Sequence, residues 1–192
     1  MERIVEILEE SGALLNGHFI LTSGRHAAKY MQCAQVLQKP AYVEEIVGIL
    51  VDDNALDAEG IDFVVAPAVG AIVFGYELAR ELGAISLFTE RVDGKMSLRR
   101  GFEIPKGARV LVAEDVVTTG GSAQEVVDIV KAAGAVVVAV ALMVDRSGGA
   151  VDFSVPKFAA LTTSIESYEA DNCPLCKENK TAAIKPGSRA IS

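Results

Sequence analysis

Short apolar runs alternate with segments of helical periodicity, and this alternation constrains the fold more than any other feature of the chain. "DFVVAP", "ARVLVAE" and "AVVVAVALMV" are near-continuous apolar runs, which are typical of strands buried on both faces of a parallel sheet. "GAIVFGYELARELG" and "SAQEVVDIVKAAG" place apolar residues at helical spacing and end in glycine, as helices do. We therefore predict an α/β fold with a mostly parallel sheet flanked by helices on both faces.

The rest of the chain fits one domain. "KPAYVEEIVGILVDD" has helical spacing, and "AISLFT" and "KFAALTT" are two further strand candidates. A length of 192 residues with 51% apolar composition suits a single domain with a sizeable core. Since the sequence has no internal repeat and no linker rich in proline or serine, we predict one domain over residues 1–192.

Charge and hydropathy exclude two classes of partner. A net charge of −8 argues against a broad nucleic-acid-binding face. The longest apolar run, "VVVAVALMV", is far shorter than the roughly 20 residues of a membrane-spanning helix. The N-terminal "MERIVEILEE" alternates charged and apolar residues, unlike a signal peptide. We expect a cytoplasmic protein that binds neither nucleic acid nor membrane.

Two of the three cysteines form a C-P-L-C turn, Cys173 and Cys176. A single CxxC is a weak zinc signal, because tetrahedral zinc needs four ligands. His18 and His26 are the only histidines and lie far away in sequence. Reduced cysteines near a surface turn are the favoured interpretation, and a zinc or redox role is the alternative.

Four polar stretches follow predicted strands, and they predict the position of the site. They are residues 67–71, 90–101, 114–122 and 145–149. In open α/β sheets, ligands bind beyond the carboxyl ends of the strands. The four stretches should therefore meet at one edge of the sheet.

The most informative stretch is "VLVAEDVVTTGGSAQE", residues 110–125. Its Thr-Thr-Gly-Gly-Ser run precedes a predicted helix, so backbone N–H groups, hydroxyls and the helix N-terminus could together hold a phosphate. Neither a Walker A motif nor G-x-G-x-x-G is present. Ser122 and Glu125 also fit an S-x-x-E capping box, which is compatible with a phosphate cradle one turn earlier.

Glu114 and Asp115 precede this cradle and would repel a phosphate placed beside them. They suit a ligand with phosphate at one end and hydroxyls at the other, such as a ribose 5-phosphate. The carboxylates would accept hydrogen bonds from the ribose hydroxyls and stabilise positive charge as a bond to the anomeric carbon breaks.

These features are part of a family resemblance that covers nearly the whole chain. "FILTSGRHAAKY", "FTERVDGKMSLRRGF", "EDVVTTGGS", "VDR" and the tail "CPLC…KPGSR" together resemble the orotate phosphoribosyltransferase family, in its short bacterial and archaeal form. The resemblance implies the type I phosphoribosyltransferase fold, with a small hood formed by residues 1–35 and the C-terminal segment. It also implies transfer of phosphoribosyl from phosphoribosyl diphosphate to orotate, in pyrimidine biosynthesis. Magnesium is the implied cofactor, held mainly by substrate and water, and the implied assembly is a homodimer with active sites shared across the interface.

The resemblance also implies roles for individual residues. Lys95, in a mobile loop, and Asp115 are the implied catalytic residues. Orotate would contact Tyr30, Met31, Thr118 and Arg146. Phosphoribosyl diphosphate would contact Glu114, Asp115, Val116, Val117, Thr118, Thr119, Gly120, Gly121, Ser122 and Lys95, and its charge alone adds Arg91 to this set.

Two other functions stay open. One is a phosphoribosyltransferase for another base, such as a purine, which Arg146 argues against because orotate is an anion and purines are not. The other is a regulator that senses phosphoribosyl diphosphate without catalysis. Such regulators usually add a nucleic-acid-binding segment, and this acidic chain has no spare domain for one.

Overall fold

The computed structural model describes residues 2–21, 23–56, 60–178 and 182–186. Its helices are α1 (Glu2–Glu10), α2 (Ala34–Leu37), α3 (Pro40–Asn54), α4 (Ile72–Leu82), α5 (Gly121–Ala132) and α6 (Pro174–Glu178). Its strands are β1 (Leu14–Ile20), β2 (His26–Met31), β3 (Phe63–Pro67), β4 (Ile85–Val92), β5 (Lys95–Leu98), β6 (Arg109–Val117), β7 (Val136–Asp145), β8 (Lys157–Thr162) and β9 (Ser167–Tyr168).

The main sheet has six strands in the order β5-β4-β3-β6-β7-β8. All neighbouring pairs are parallel except β4 and β5, so the prediction of a mostly parallel α/β sheet is confirmed. The strands are apolar on both faces because each face contributes to a different core. In β6, Leu111 and Ala113 pack in the core that includes α3 and α4, whereas Val110 and Val112 pack with α5.

Helix α4 lies unusually close to the sheet because one of its residues has no side chain. A Cβ atom placed on Gly75 would lie 2.8 Å from the Cβ of Ala66 in β3, which is closer than real Cβ contacts allow. The glycine therefore lets α4 approach β3. This close packing holds the loop between β3 and α4, residues 68–71, against the carboxyl ends of the strands.

The prediction of a polar loop over residues 90–101 is wrong in its first part. Strand β4 continues to Val92, and β5 pairs with it in an antiparallel hairpin. The two-residue turn is Asp93-Gly94, and both residues have positive φ, 49° and 80°. Asp-Gly is the sequence that such two-residue hairpin turns favour, so the hairpin has a sequence signal that the interpretation as a loop overlooked.

A smaller sheet joins the two ends of the chain, with strand order β1-β2-β9. Ile184 adds an isolated bridge to Phe19 of β1. Arg25, just before β2, donates hydrogen bonds to the hydroxyl of Ser167 (2.9 Å) and pairs with Glu169. In the described part of the chain, no helix is long and apolar enough to cross a bilayer.

Candidate active site

The predicted polar stretches meet at one edge of the main sheet. A Cβ atom on Gly70 would lie 3.1 Å from a carboxylate oxygen of Asp115, so the loop after β3 reaches the end of β6. The backbone N–H of Arg146, after β7, donates to the carbonyl of Val117 at 2.8 Å. The stretch over residues 90–101 contributes Arg91, whose side chain lines the same cavity as the loop after β6. This convergence follows from the parallel order of the strands.

An open cavity lies over the loop between β6 and α5. Its volume of about 240 Å³ is below the roughly 300–1,000 Å³ of typical ligand sites, so it can hold only part of a two-substrate complex. Thr118, Thr119 and Ser122 are exposed in the wall of this cavity, so their hydroxyls are accessible to a ligand. The cavity is lined by Arg91, Glu114, Val116, Val117, Thr118, Thr119, Gly120, Gly121, Ser122 and Glu125.

Gly120 shapes this loop. Its φ is +81°, and a Cβ atom there would lie 2.5 Å from a methyl carbon of Val151. Any side chain would therefore face both an unfavourable backbone conformation and a steric clash. Gly120 is also the N-cap of α5, with no capping bond from a side chain within the described residues. The first N–H groups of α5 thus need an acceptor, which an anion supplies.

The predicted capping box is wrong. Helix α5 begins one residue before Ser122, and the Glu125 carboxylate does not return to the helix start. Its oxygens accept hydrogen bonds from the Arg91 guanidinium at 2.8 Å and from the backbone N–H of Met96 at 3.2 Å. Glu125 therefore fastens the β4–β5 hairpin to α5.

Glu114 and Asp115 form a hydrogen-bonded carboxyl pair at the end of β6. Burial, followed by the neighbouring charge of Asp115, raises the pKa of Glu114 to about 8. Burial also raises the pKa of Asp115. At neutral pH, Glu114 is then mostly protonated and donates to the Asp115 carboxylate. The pair therefore offers both donor and acceptor capacity to a ligand with adjacent hydroxyls.

This pair predicts how the stability of the free protein depends on pH. The pKa of Glu114 is about 8 in the folded chain against its ordinary 4.5. A raised pKa contributes stability that is complete below the unfolded value and is lost as pH rises through the folded value. Between these values, the free energy of unfolding of wild type should fall, relative to Glu114→Gln, by at most about 1.4 kcal/mol per pH unit.

Urea unfolding from about pH 5.5 to about pH 8.5 measures this difference. The exposed Glu103 supplies a matched control, and Glu103→Gln should follow wild type. Parallel pH curves for wild type and Glu114→Gln would contradict the raised pKa.

A buried ion pair fixes the turn that contains Arg146. Asp145 is fully buried and accepts hydrogen bonds from the Ser147 N–H at 2.8 Å and from the Lys157 ammonium at 2.8 Å. Burial opposes ionisation of Asp145, but the bonds from Lys157 and Ser147 prevail and lower its pKa. Sequence reasoning missed both Asp145 and Lys157, although an acid directly before Arg146 was a visible signal.

Arg146 itself has an unsatisfied donor. Its Nε is buried and has no hydrogen-bond partner among the residues that the structure describes. Burial, and after it the negative charge of Asp115, raises the pKa of the Cys33 thiol strongly. The Cys33 thiol also donates to the Asp115 carbonyl at 4.0 Å. Since the backbone N–H of Arg146 donates to the Val117 carbonyl, the turn that carries this unsatisfied donor lies against the end of β6, two residues beyond Asp115.

Tyr30 and Met31 lie at the end of β2, outside the cavity wall. The Met31 side chain is only 7% exposed and belongs to the main core. The Tyr30 ring is half-buried and packs against Phe19 with centroids 5.7 Å apart. Since Cys33 follows two residues after Met31, strand β2 leads directly to the carboxyl pair.

Lys95 is exposed at the first position of β5, next to the hairpin turn. It does not line the cavity of its own chain. Two neighbouring basic residues are paired: Arg91 of β4 with Glu125 at 2.8 Å, and Arg100, after β5, with Glu90 at 2.7 Å. Within the described part of the chain, no ion pair involves Lys95, so its charge remains available.

Comparison with known proteins identifies the family. The model of the phosphoribosyl transferase domain matches residues 32–158. An orotate phosphoribosyltransferase of Desulforamulus reducens is 51% identical over 191 residues, covering 100% of this chain and 98% of the relative. The chain belongs to the orotate phosphoribosyltransferase family. Another member, from Heliobacterium modesticaldum, is 53% identical and covers 98% of both chains.

Solved structures of the orotate phosphoribosyltransferase family share the fold. The crystal structure of the Aeropyrum pernix enzyme has a TM-score of 0.69 at 24% identity, and covers 83% of this chain and 93% of that one. The Mycobacterium tuberculosis enzyme, solved with inorganic phosphate, has a TM-score of 0.63 at 23% identity, and covers 84% of this chain and 96% of that one. These neighbours agree with the predicted type I phosphoribosyltransferase fold.

Proposed function

We propose that this protein transfers the phosphoribosyl group of phosphoribosyl diphosphate to orotate, giving orotidine 5′-monophosphate and diphosphate. The observation that carries the proposal is the buried, unsatisfied Nε of Arg146, in a turn that is hydrogen-bonded to the end of β6 two residues beyond Asp115. A cation in this position can bind the carboxylate of orotate. A neutral purine offers no such anion.

The loop after β6 is the proposed binding site for the phosphoribosyl end. Uncapped N–H groups of α5 and the exposed hydroxyls of Thr118, Thr119 and Ser122 would bind the 5′-phosphate. Glu114 and Asp115, at the other end of the loop, would bind the ribose hydroxyls. The negative charge of the pair would also stabilise the anomeric carbon as its bond to diphosphate breaks.

Orotate would lie between Arg146 and the small sheet. Its proposed neighbours are Thr118 of the loop, and Tyr30 and Met31 at the end of β2. The small sheet, with residues 1–35 and the C-terminal segment, would act as the hood over the base. The buried Asp145–Lys157 pair supports this arrangement because it fixes the turn from which the Arg146 side chain extends.

Magnesium is the proposed cofactor. Glu114 and Asp115 could bind the ion only in part, because two adjacent carboxyl groups supply at most a few of the six oxygens that Mg2+ prefers. Diphosphate, ribose hydroxyls and water would supply the others. When bound, the ion neutralises charge on the diphosphate leaving group.

We also propose a homodimer in which Lys95 acts in the partner's site. Three apolar side chains near the N-terminus of α4 support a protein interface, with exposures of 82% for Val69, 47% for Val73 and 64% for Tyr76. Their spacing of four and three residues is that of one helix face, and exposed apolar patches commonly mark such surfaces. A cytoplasmic location fits the three free cysteines, Cys33, Cys173 and Cys176.

The direct test is product formation from phosphoribosyl diphosphate with a panel of bases. Orotate should react, adenine and hypoxanthine should not, and chelation of magnesium should stop the reaction. Reaction with a purine alone would replace the proposal with a different base specificity. Tight binding of phosphoribosyl diphosphate without product from any base would favour a regulator.

Arg146→Ala should raise the KM for orotate much more than the KM for phosphoribosyl diphosphate. Hydrogen bonds to charged groups contribute about 1.5–3 kcal/mol, so the orotate KM should rise roughly 10- to 100-fold. Steady-state kinetics with each substrate varied in turn measure both constants. Arg3→Ala is the control, because Arg3 makes exposed ion pairs on α1 and α3. Unchanged constants in Arg146→Ala would place the orotate carboxylate elsewhere.

A further inference from the structure

Both histidines of the chain and two of its three cysteines meet in one cluster outside the active site. His18 and His26 face each other across the β1–β2 hairpin. Cys173 directly precedes α6, and Cys176 is the third residue of that helix. One ligand atom from each residue lies within 4.8 Å of all the others, and none of the four lines the cavity over the phosphate cradle.

The distances approach those of a tetrahedral zinc site. Zinc binds sulfur at about 2.3 Å and nitrogen at about 2.0–2.1 Å, so tetrahedral geometry puts S···N at about 3.6 Å and N···N at about 3.3 Å. The His18 Nε2 lies 3.7 Å from the Cys173 Sγ and 3.6 Å from the Cys176 Sγ. The Cys176 Sγ lies 3.3 Å from the His26 Nδ1. The two histidine nitrogens, 2.8 Å apart, would need to separate by only about 0.5 Å.

The burial of the cluster and the charge of its ligands also favour zinc. His18, His26 and Cys173 are buried, with exposures of 3%, 8% and 0%, whereas Cys176 is exposed and leaves a path for entry. When zinc binds, each thiol loses its proton to solvent, and two thiolates balance the charge of Zn2+. The resulting site is neutral, which suits a buried position, and an S₂N₂ tetrahedron is typical of zinc.

We propose that His18, His26, Cys173 and Cys176 form a structural zinc site that fastens the C-terminal segment to the β1–β2 hairpin. Four protein ligands leave no open position, as in structural rather than catalytic zinc sites. The segment needs such a fastening because its other links are short. Strand β9 has only two residues, and α6 has only five.

Zinc content of the purified full-length protein tests the proposal. The protein should be prepared without chelators and without an affinity tag, dialysed, and analysed by mass spectrometry for metals. We expect about one zinc per chain in wild type, and at least a tenfold loss in Cys176→Ser and His26→Ala. Cys33→Ser is the matched control and should retain the zinc, because Cys33 lies outside the cluster.

Cobalt provides a second measurement, and its main result is obtained on wild type alone. Wild type reconstituted with Co2+ should show the visible bands of tetrahedral cobalt and a thiolate charge-transfer band, and Cys176→Ser should lose the latter at least in part. A chelator should lower the melting temperature of wild type by several degrees and leave Cys176→Ser unchanged.

Three results would overturn the proposal. Wild type could contain no zinc and give no tetrahedral cobalt spectrum. Cys176→Ser and His26→Ala could keep full zinc, which would put the ion elsewhere. Peptide mass spectrometry of freshly purified protein could find Cys173 and Cys176 joined in a disulfide. None of these measurements depends on the reaction that the enzyme catalyses, so the zinc site and the proposed function can fail separately.

Discussion

Asp115→Asn should lower the turnover of orotate and phosphoribosyl diphosphate by about one to two orders of magnitude. The substitution keeps the size of the side chain and removes its charge. Hydrogen bonds to a charged group contribute about 1.5–3 kcal/mol, and about 1.4 kcal/mol corresponds to a tenfold change in rate. Since the proposed transition state has positive charge at the anomeric carbon, the loss should appear in kcat as well as in kcat/KM.

The variant should remain folded, because Asn still accepts a hydrogen bond from protonated Glu114. Circular dichroism and a thermal melt check this point. Asp128→Asn is a suitable control, since Asp128 lies on the exposed face of α5 and contacts only Gln124 among the described hydrogen bonds that involve side chains. Near wild-type turnover in Asp115→Asn would remove the proposed interaction between this carboxylate and the ribose hydroxyls.

Local sequence patterns were sufficient to predict the strand, loop and helix that form the proposed phosphate site. The order of apolar strand, acid pair, Thr-Thr-Gly-Gly-Ser and helix lies within 16 residues, from Val110 to Glu125, so strand geometry and helix-end chemistry determine its structure. Gly120 illustrates this, because its positive φ permits the sharp approach to α5. The parallel strand order then brought the other loops to the same edge.

Features that depend on pairing between distant residues could not be predicted in the same way. Glu125 was interpreted as a helix cap, yet its partners are Arg91 and the Met96 N–H, about 30 positions earlier. The Glu125 carboxylate could accept hydrogen bonds either from the start of its own helix or from a distant segment. Which of the two forms depends on how the hairpin packs against α5. Asp145 and Lys157 form their ion pair for the same reason, since β7 and β8 become neighbours only in the sheet.

The cluster of histidine and cysteine shows the same limit more clearly. His18 and Cys173 are separated by 155 positions, so neither residue belongs to a local motif with the usual zinc spacing. The C-P-L-C turn alone contains only two of the four proposed zinc ligands. The second half became visible only when β9 and β2 paired and brought the two chain ends together.

Mixing two inactive variants should restore activity if the proposed dimer shares its active sites. Suppose that Lys95→Ala and Asp115→Asn each lose most activity as homodimers. If Lys95 acts in the partner's site, a heterodimer has one site with both defects and one with neither. Random exchange in an equal mixture makes about half of the dimers mixed, so total activity should approach about a quarter of wild type.

The structure also supports the alternative, in which Lys95 acts in the active site of its own chain. Arg91 lines the cavity of its own chain, and its bond to Glu125 holds the hairpin against its own α5. Lys95 directly follows the turn of the same hairpin but does not line that cavity, so it must either move or serve another chain. If it serves its own chain, every site in the mixture keeps one defect and activity stays at the level of the parent variants. Native mass spectrometry must confirm subunit exchange, and with exchange confirmed, an inactive mixture would refute the shared site and leave the proposed reaction unaffected.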